Sequence, residues 1–270
     1  MTDMEKPHSA GGVDELWLNL RRVYDTDRAT LVWSSLSSAY DRLLFAHHHL
    51  LLLRKLVLPA VKQGLEASGF RPPLIDEDNI EALFSQTMYQ VKMHVTDCIQ
   101  HMHAVGDTIA FAVHFFVEFP EGEQLKKKDI TLLRVRKLLC NHSELPSAKN
   151  LLKLLDELAT DKNCTYVSDL NNHAKHRSIV KPAISLASDE EMPDDELKNL
   201  LVFPLVEMSH PTSELQDRGA TPCHGQRPIL SLIETELARI WGLYGEMRQE
   251  IEKQVRLAAS KAAHVAAGEA

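Results

Sequence analysis

The sequence predicts a mainly all-α protein, a bundle of about six or seven helices with a small β-hairpin inserted before the C-terminal helix. Two observations lead to this fold class. Apolar residues recur at helical spacing along most of the chain, and Val, Ile, Leu and Phe concentrate in two short segments before the last helical stretch. Because 270 residues can bury one large core, we expect a single domain over 13–264, a disordered lead over 1–12 and a frayed tail over 265–270.

The N-terminal half is predicted to contain one short helix and two long ones. Apolar spacing indicates a helix from Val13 to Tyr24 and another from Arg28 to about Ala67. Pro59 should bend the second helix between Lys55 and Pro59, because the proline ring clashes with the carbonyl group four residues earlier. The third helix is expected from Asp78 to about Phe119.

The C-terminal half is predicted to contain shorter helices, the β-hairpin and a long closing helix. Helices are expected within the basic segment 125–139, over Pro146–Leu158, over about Thr165–Ser178 and from Pro228 to about His264. The hairpin and a polar loop occupy about 179–227, with strands in Ile179–Leu186 and Leu200–Glu207. Each strand segment contains a proline, which is typical of edge strands. His210–Arg227 is predicted to be an exposed loop.

Composition excludes some functions. The chain has 30 Lys and Arg against 38 Asp and Glu, a net charge of −8, so a whole-surface affinity for nucleic acid is disfavoured. The 4 cysteines are too scattered for a disulfide framework or a CxxC zinc site, and we expect reduced thiols in a cytoplasmic protein. The N-terminal residues lack the apolar core of a secretory signal, and no transmembrane segment is predicted.

The sequence predicts neither a cofactor nor a metal site. Phosphate-binding motifs of the GxxxxGKS and GxGxxG types are missing, as is the GxSxG motif of hydrolases. The run His47 to His49 points three ways around a helix, so these residues are not expected to form one site. His94, Asp97 and His101 lie on one later helix, but zinc needs three or four converging ligands.

The segment Asn171–Arg177, NNHAKHR, concentrates more chemistry than any other part of the chain. At roughly 100° per residue, Asp169, Asn172, His173 and His176 lie within about a quarter of the helix circumference. An imidazole can transfer protons near neutral pH, and an amide can orient a reacting group by hydrogen bonding. A cation stabilises the negative charge that develops on a phosphate group. The segment is therefore either a site for phosphate or RNA chemistry or a polar helix end that packs on the hairpin.

A second polar position lies inside the long helix that contains HMHAVGDTIA. His103 and Asp107 share one face there, and Gly106 between them should let another backbone approach closely. A carboxylate at such a position costs free energy unless a donor or cation meets it. We expect a partner among Lys175, His176 and Arg177, either as a structural ion pair or as support for a catalytic histidine.

These two stretches, HMHAVGDTIA and LNNHAKHR, followed by a hairpin and a closing amphipathic helix, resemble the HEPN superfamily. The chain is similar especially to uncharacterised bacterial branches of this superfamily that bear an N-x-x-KHR type motif. The resemblance covers residues 28–260 in organisation and the two short stretches in specific residues. It implies a HEPN-like helical bundle that usually dimerises.

The resemblance also implies residue roles. Active members carry RNxxxH and cleave RNA without a metal at a site formed by two copies of the motif. On this chain the polar residue is Asn172 and the histidine is His176, but Asn171 stands at the arginine position. His176 would transfer the proton, Asn172 would be the orienting residue, and Asp107 would support them. The substrate would contact Lys175, Arg177 and His173. A looser match is Arg136 to His142.

Two functions are therefore open. The first is a HEPN-like protein associated with RNA or a nucleotide, as a toxin or defence component, acting as a homodimer or with a partner protein; if it is an enzyme, it is a metal-independent ribonuclease. The second is a catalytically inert helical interaction or dimerisation protein in which the same polar cluster makes internal structural contacts. A helical bundle hosts many functions, so fold class alone does not choose between them.

Overall fold

The computed structural model describes residues 15–67, 80–120, 122–145, 147–176, 182–184, 201–203, 206–207, 223–224 and 227–268. The fold is mainly all-α, a bundle of helices with short strands before the last one, as the sequence predicts. Its helices are α1 (Glu15–Val23), α2 (Thr26–Leu52), α3 (Leu58–Ala67), α4 (Ile80–Phe116), α5 (Leu132–Asn141), α6 (Ala148–Thr160), α7 (Lys162–His176) and α8 (Ile229–Gly268).

A helical irregularity lies where the sequence predicts a bend before Pro59. A π-helical turn, Leu53–Val57, joins α2 to α3, and within it the Leu58 N–H donates to the Leu53 carbonyl group. A proline lacks an N–H and crowds the carbonyl group four residues earlier, so a wider turn at this point accommodates its ring. The sequence thus located the irregularity correctly, although the type of turn could not be read from it.

The chain forms two compact units. Unit 1 takes in the described parts of Met1–Tyr40, Gly106–Ala159 and Gly242–Ala270, and unit 2 those of Asp41–Val105 and Thr160–Trp241. Helices α2, α4 and α8 contribute residues to both units. The prediction of a single domain over 13–264 stays a prediction.

The core of unit 1 consists of apolar side chains from α1, α5, α6 and the parts of α2, α4 and α8 that belong to this unit. Their periodicity along each helix is the pattern that predicted these helices. Representative fully buried members are Leu16, Leu20, Val32, Leu36, Val113, Val135, Leu139, Leu151, Leu155 and Ile251. Burial of these side chains fixes the mutual packing of the helices within the unit.

Arg28 determines where α4 ends. Its Nε donates to the Phe115 carbonyl group at 2.6 Å, and its Nη2 donates to that of Phe116 at 3.1 Å. The Tyr24 hydroxyl donates to the same Phe116 oxygen at 3.1 Å. The last carbonyl groups of a helix have no partner within the helix, so these donors satisfy them. The helix consequently ends at Phe116, three residues before the predicted end at Phe119.

Gly106 lies close to leucine side chains of two other helices. The prediction that another backbone approaches it is wrong. A β-carbon at this position would lie 3.1 Å from Leu132 Cδ2 and 3.9 Å from Leu158 Cδ2. Both leucines belong to unit 1, on α5 and α6. The glycine therefore allows these two helices to pack against α4.

Unit 2 contains α3, α7, the strands and the remaining parts of α2, α4 and α8. Strands β1 (Ala183–Ile184), β2 (Leu201–Phe203) and β5 (Arg227–Pro228) form an antiparallel sheet in the order β1-β2-β5. Strands β3 (Val206–Glu207) and β4 (Cys223–His224) form a separate antiparallel pair. Pro228 lies on an edge strand, where its missing N–H breaks no ladder on the outer side.

The sheet corrects the predicted hairpin in two respects. The pairing of 183–184 with 201–203 is as predicted, but Arg227–Pro228 adds a third strand. Cys223, His224 and Arg227 lie in strands, so the predicted exposed loop over His210–Arg227 is wrong for these residues. The rest of that loop and the acidic segment between the strands lie outside the described residues.

Other helix boundaries differ modestly from the predicted ones. Helix α7 begins at Lys162, three residues before the predicted start, because Asp161 provides an N-cap. Helix α8 continues to Gly268, past the predicted end at His264. The predicted lead over 1–12 and the loop after α3 lie outside the described residues.

One helical run among the described residues, Thr26–Glu66, passes a test for membrane-spanning helices by length and composition alone. Its most apolar window has a mean hydropathy of 1.2, and 33% of that window is buried within the fold. The core helix of a globular protein meets the same criteria, so one such helix is weak evidence. The prediction that the chain does not engage a membrane stays a prediction.

Two glycine substitutions test the close packing of α4. Gly242→Ala, on α8 with nothing within 4 Å of the added β-carbon, should stabilise the protein by about 0.5 to 1 kcal/mol. Gly106→Ala should lose this gain and lower the stability, because Leu132 must shift to admit the methyl group. Urea unfolding followed by circular dichroism measures both; equal stabilisation at the two positions would contradict the close contact.

Candidate functional site

Helix α7, which carries the NNHAKHR segment, begins at a well-formed N-cap. The Asp161 Oδ1 accepts hydrogen bonds from the N–H groups of Asn163 at 2.7 Å and Cys164 at 3.4 Å. An aspartate at this position satisfies N–H groups that have no partner within the helix, and its charge favours the positive end of the helix dipole. The cap fixes the first turn of α7.

A buried ion pair on α8 lies beside this cap. Glu236 is 0% exposed, and Arg239 donates to both its oxygens, from Nε at 2.9 Å and from Nη2 at 2.6 Å. The same Nε lies 3.7 Å from Asp161 Oδ1. One guanidinium therefore neutralises a buried carboxylate and also contacts the N-cap of α7.

The ion pair sets the electrostatics at the start of α7. Burial raises the pKa of Glu236 above its ordinary value, and the hydrogen bonds and charge of Arg239 oppose that rise. Burial, with the Glu236 charge nearby, raises the pKa of Cys164 to about 11. Cys164 is consequently a protonated structural thiol at neutral pH, and not a nucleophile.

Strand β5 holds the following turn of α7. Arg227 Nη1 donates to Asn163 Oδ1 at 3.0 Å, and its guanidinium lies 4.7 Å from the centroid of the Tyr166 ring. A cation over a tyrosine face is attracted by the ring quadrupole. Burial raises the pKa of Tyr166 to about 12, so the phenol stays neutral. The first half of α7 is thus positioned by polar contacts from both α8 and β5.

The NNHAKHR residues divide between two faces of α7. Asn171 is 1% exposed, and neither its amide oxygen nor its amide nitrogen has a hydrogen-bond partner among the described residues. Asn172 and Lys175 are exposed, three residues apart, and so lie on one face. His173 is half-buried. His176 is the last residue of α7, its side chain is not described, and Arg177 lies outside the described residues.

The opposite face of α7 packs towards α4. Leu170 and Ala174 of α7 line a small cavity together with Val95, Thr96, Ile99 and Gln100 of α4. Asn171 is next to Leu170 in the chain and is likewise buried. The residue at the arginine position of the RNxxxH pattern therefore points into the protein. The exposed chemistry of the segment reduces to Asn172 and Lys175 among the described side chains.

Asp107 of α4 accepts a hydrogen bond from the N-terminus of α5. Its Oδ1 accepts a hydrogen bond from the N–H of Leu132, the first residue of α5, at 2.9 Å. The Thr131 hydroxyl oxygen, at the N-cap of the same helix, accepts from the Arg134 N–H at 3.4 Å. The donor that the structure shows is a backbone amide. Of the three predicted partners, the His176 side chain and Arg177 lie outside the described residues.

The looser motif, Arg136 to His142, is engaged in ion pairs within unit 1. Arg136 Nε bonds the Asp156 carboxylate on α6. His142 Nε2 lies 2.5 Å from Glu123 Oε2, and its Nδ1 lies 3.5 Å from Glu144 Oε1. Since both ring nitrogens of His142 face carboxylates, this histidine offers no free nitrogen for proton transfer to a substrate.

The sequence analysis weighed His94 and Asp97 as metal ligands and discounted them, and it did not connect them with His49; the structure brings the three side chains together in unit 2. His49 of α2 lies with His94 and Asp97 of α4, and one ligand atom from each lies within 4.8 Å of the other two. The two Nδ1 atoms are 2.9 Å apart, and His49 Nδ1 is 3.6 Å from Asp97 Oδ2. His49 and His94 are 45 positions apart in the chain, so local spacing did not reveal that His49 joins the other two.

No family model, curated protein or solved structure matches this chain significantly. The resemblance to the HEPN superfamily therefore rests on the two short stretches of sequence and on the helical fold class. Fold class alone does not carry a function, because the same architecture supports many activities.

The buried ion pair provides a stability test. Arg239→Met should destabilise the protein by about 3 to 5 kcal/mol, because it leaves the Glu236 carboxylate buried without its cation. Lys153→Met is the matched control: it removes an exposed partner of Glu157 on α6 and should cost less than about 0.5 kcal/mol. Thermal and urea unfolding measure both; similar small losses would contradict the role assigned to Arg239.

The loss of stability in Arg239→Met should depend on pH. A carboxyl group with a raised folded-state pKa holds its proton in the folded protein to higher pH, so its contribution to stability is lost as pH rises through that pKa. Removing Arg239 removes the main influence that lowers the pKa of Glu236. The stability deficit of Arg239→Met should therefore shrink on moving from neutral towards acidic pH, and a deficit independent of pH would contradict this.

Asp107 is expected to be a structural residue. Asp107→Ala should cost about 0.5 to 2 kcal/mol in urea unfolding, because the Leu132 N–H loses its acceptor. Asp107→Asn keeps an acceptor oxygen and should recover most of that loss. If both substitutions leave the unfolding midpoint unchanged, the hydrogen bond has no structural importance.

Proposed function

We infer that this protein is a HEPN-like helical protein that associates with RNA or a nucleotide through α7 and does not cleave RNA. The observation that carries the proposal is the exposure of Asn172 and Lys175 on one face of α7, over a helix held by α8 and β5. An amide and an ammonium group at this spacing can donate hydrogen bonds to one phosphate group.

The absence of cleavage follows from Asn171. In the RNxxxH pattern an arginine at this position would supply charge to the scissile phosphate. Here the residue is an uncharged amide whose side chain is 1% exposed, so it contacts neither solvent nor a bound strand. The remaining cation of the described segment, Lys175, is a point charge without the bidentate geometry of a guanidinium. Binding can persist without the catalytic arrangement.

The net charge of −8 is compatible with a local contact only. A site with one or two phosphate contacts binds weakly and with a shallow salt dependence, unlike a basic nucleic-acid surface. We therefore expect recognition of a short strand or a single nucleotide, and not of a long duplex. His173, half-buried between the two faces, supplies an imidazole at the border of this surface.

The test is fluorescence anisotropy with labelled single-stranded RNA and with a labelled nucleotide, both in EDTA. Lys175→Gln should weaken binding several-fold and lower the slope of log K against log salt by about 0.7, the loss of one phosphate contact. Lys153→Gln, an exposed lysine on α6, is the matched control and should bind like wild type.

Gel analysis of the same mixtures tests cleavage. We expect intact RNA with wild type and with His176→Ala. Cleavage by wild type that His176→Ala abolishes would show an active ribonuclease and overturn the non-catalytic proposal. No binding to either ligand, or equal binding by Lys175→Gln, would remove the nucleic-acid function altogether.

A second candidate is a catalytically inert interaction protein, and one observation favours it. Large apolar side chains are exposed on α2, α4 and the turn between α2 and α3, all within unit 2: Leu44, Phe45, Leu56, Tyr89 and Met93. Exposed apolar groups on adjacent helices are typical of protein-binding faces. Light scattering across a concentration series, with Tyr89→Ser beside wild type, distinguishes a dimer of this chain from a monomer.

A further inference from the structure

The side chains of His49, His94 and Asp97 form a compact set of possible metal ligands in unit 2. His94 and Asp97 are one turn apart on α4, so both project from the same face of that helix. His49 comes from α2 and meets them from the other side. Two imidazole nitrogens and one carboxylate thus converge from two helices within one compact unit.

The distances suit a small cation with nitrogen ligands. Tetrahedral zinc with bonds of about 2.0 to 2.2 Å places its ligand atoms about 3.3 to 3.6 Å apart. The two Nδ1 atoms are 2.9 Å apart, and His49 Nδ1 is 3.6 Å from Asp97 Oδ2. All three ligand atoms lie within 4.8 Å of one another, which is close to the separations that a bound zinc ion requires.

Aromatic side chains surround the cluster on α2 and α4. The His101 ring stacks on His49, with centroids 6.1 Å apart, and Phe45 packs against His101 at 5.3 Å. These rings restrict the orientation of His49, as supporting side chains do around metal sites.

The cluster is also accessible to a metal ion from solvent. The side chain of His49 is 21% exposed and that of Asp97 is 35% exposed, so the cluster opens to solvent. A metal can enter without unfolding, and water can complete its coordination. The nearby Nδ1 of His101 has no hydrogen-bond partner among the described residues, and it lies one turn beyond Asp97 on α4.

We propose that His49, His94 and Asp97 bind one divalent transition-metal ion of the zinc type, with water in the remaining position. Two imidazoles and one carboxylate with an open position are typical of zinc and of non-haem iron sites, whereas magnesium and calcium require oxygen ligands. Bound metal links α2 to α4 and stabilises unit 2. This site is independent of the α7 face and of any RNA association.

Calorimetric titration of the full-length protein, stripped with EDTA and returned to chelator-free buffer, tests the proposal with Zn²⁺ and Mg²⁺. Wild type should bind one Zn²⁺ per chain and melt at higher temperature with it, and Mg²⁺ should do neither. His94→Gln and the nearly isosteric Asp97→Asn should each lower the zinc affinity at least about tenfold.

His47→Gln is the matched control. His47 belongs to the same run of histidines, but its ring packs against Trp241 and is not part of the cluster. This variant should keep wild-type zinc affinity and the visible absorption bands of tetrahedral Co²⁺, which His94→Gln should lose. Circular dichroism confirms that each variant is folded.

A simple hydrogen bond between the His49 and His94 rings is the competing explanation of their 2.9 Å contact. It predicts no zinc binding by wild type, and that result overturns the proposal. Zinc binding that survives both His94→Gln and Asp97→Asn overturns it equally, because the ion would then occupy other histidines of the chain.

Discussion

The buried ion pair between Glu236 and Arg239 is the interaction on which the organisation of unit 2 depends. A fully buried carboxylate is costly unless a cation and hydrogen bonds meet it, and Arg239 supplies both while also contacting the N-cap Asp161. The start of α7 is therefore connected to α8 by a charged contact. Arg227 adds a second polar tie from β5, so the polar side chains of α7 are presented from a fixed helix.

This fixed orientation decides what the NNHAKHR segment can do. Of its residues, Asn171 lies inside the protein, while Asn172 and Lys175 face solvent. Catalysis of the RNxxxH type needs a guanidinium at the phosphate, whereas binding needs only donors and a cation that a strand can reach. The proposed association without cleavage rests on this division between buried and exposed residues that are adjacent in sequence.

Polar side chains elsewhere in the protein satisfy helix ends or form clusters with side chains from distant parts of the chain. Asp107 accepts from the first amide of α5, and Arg28 satisfies the last carbonyl groups of α4, so each closes a helix end in unit 1. His49 converges with His94 and Asp97, although its distance from them along the chain gave no sign of this contact. Local periodicity identifies helix faces, but it carries no information on which faces meet.

The sequence by itself determined much of the secondary structure: the helices, the irregular turn before Pro59 and the pairing of residues near 183 and 202 follow from apolar spacing and proline chemistry. Strands β4 and β5 were not predicted. Helix ends were less accurate, because Arg28 and Tyr24 reach α4 from about 90 residues away. Tertiary structure alone decided that Asn171 is buried, that Asp107 is satisfied by an amide, and that a three-ligand cluster exists. Those outcomes depend on contacts between distant segments, and burial and side-chain convergence are properties of such contacts and not of local sequence.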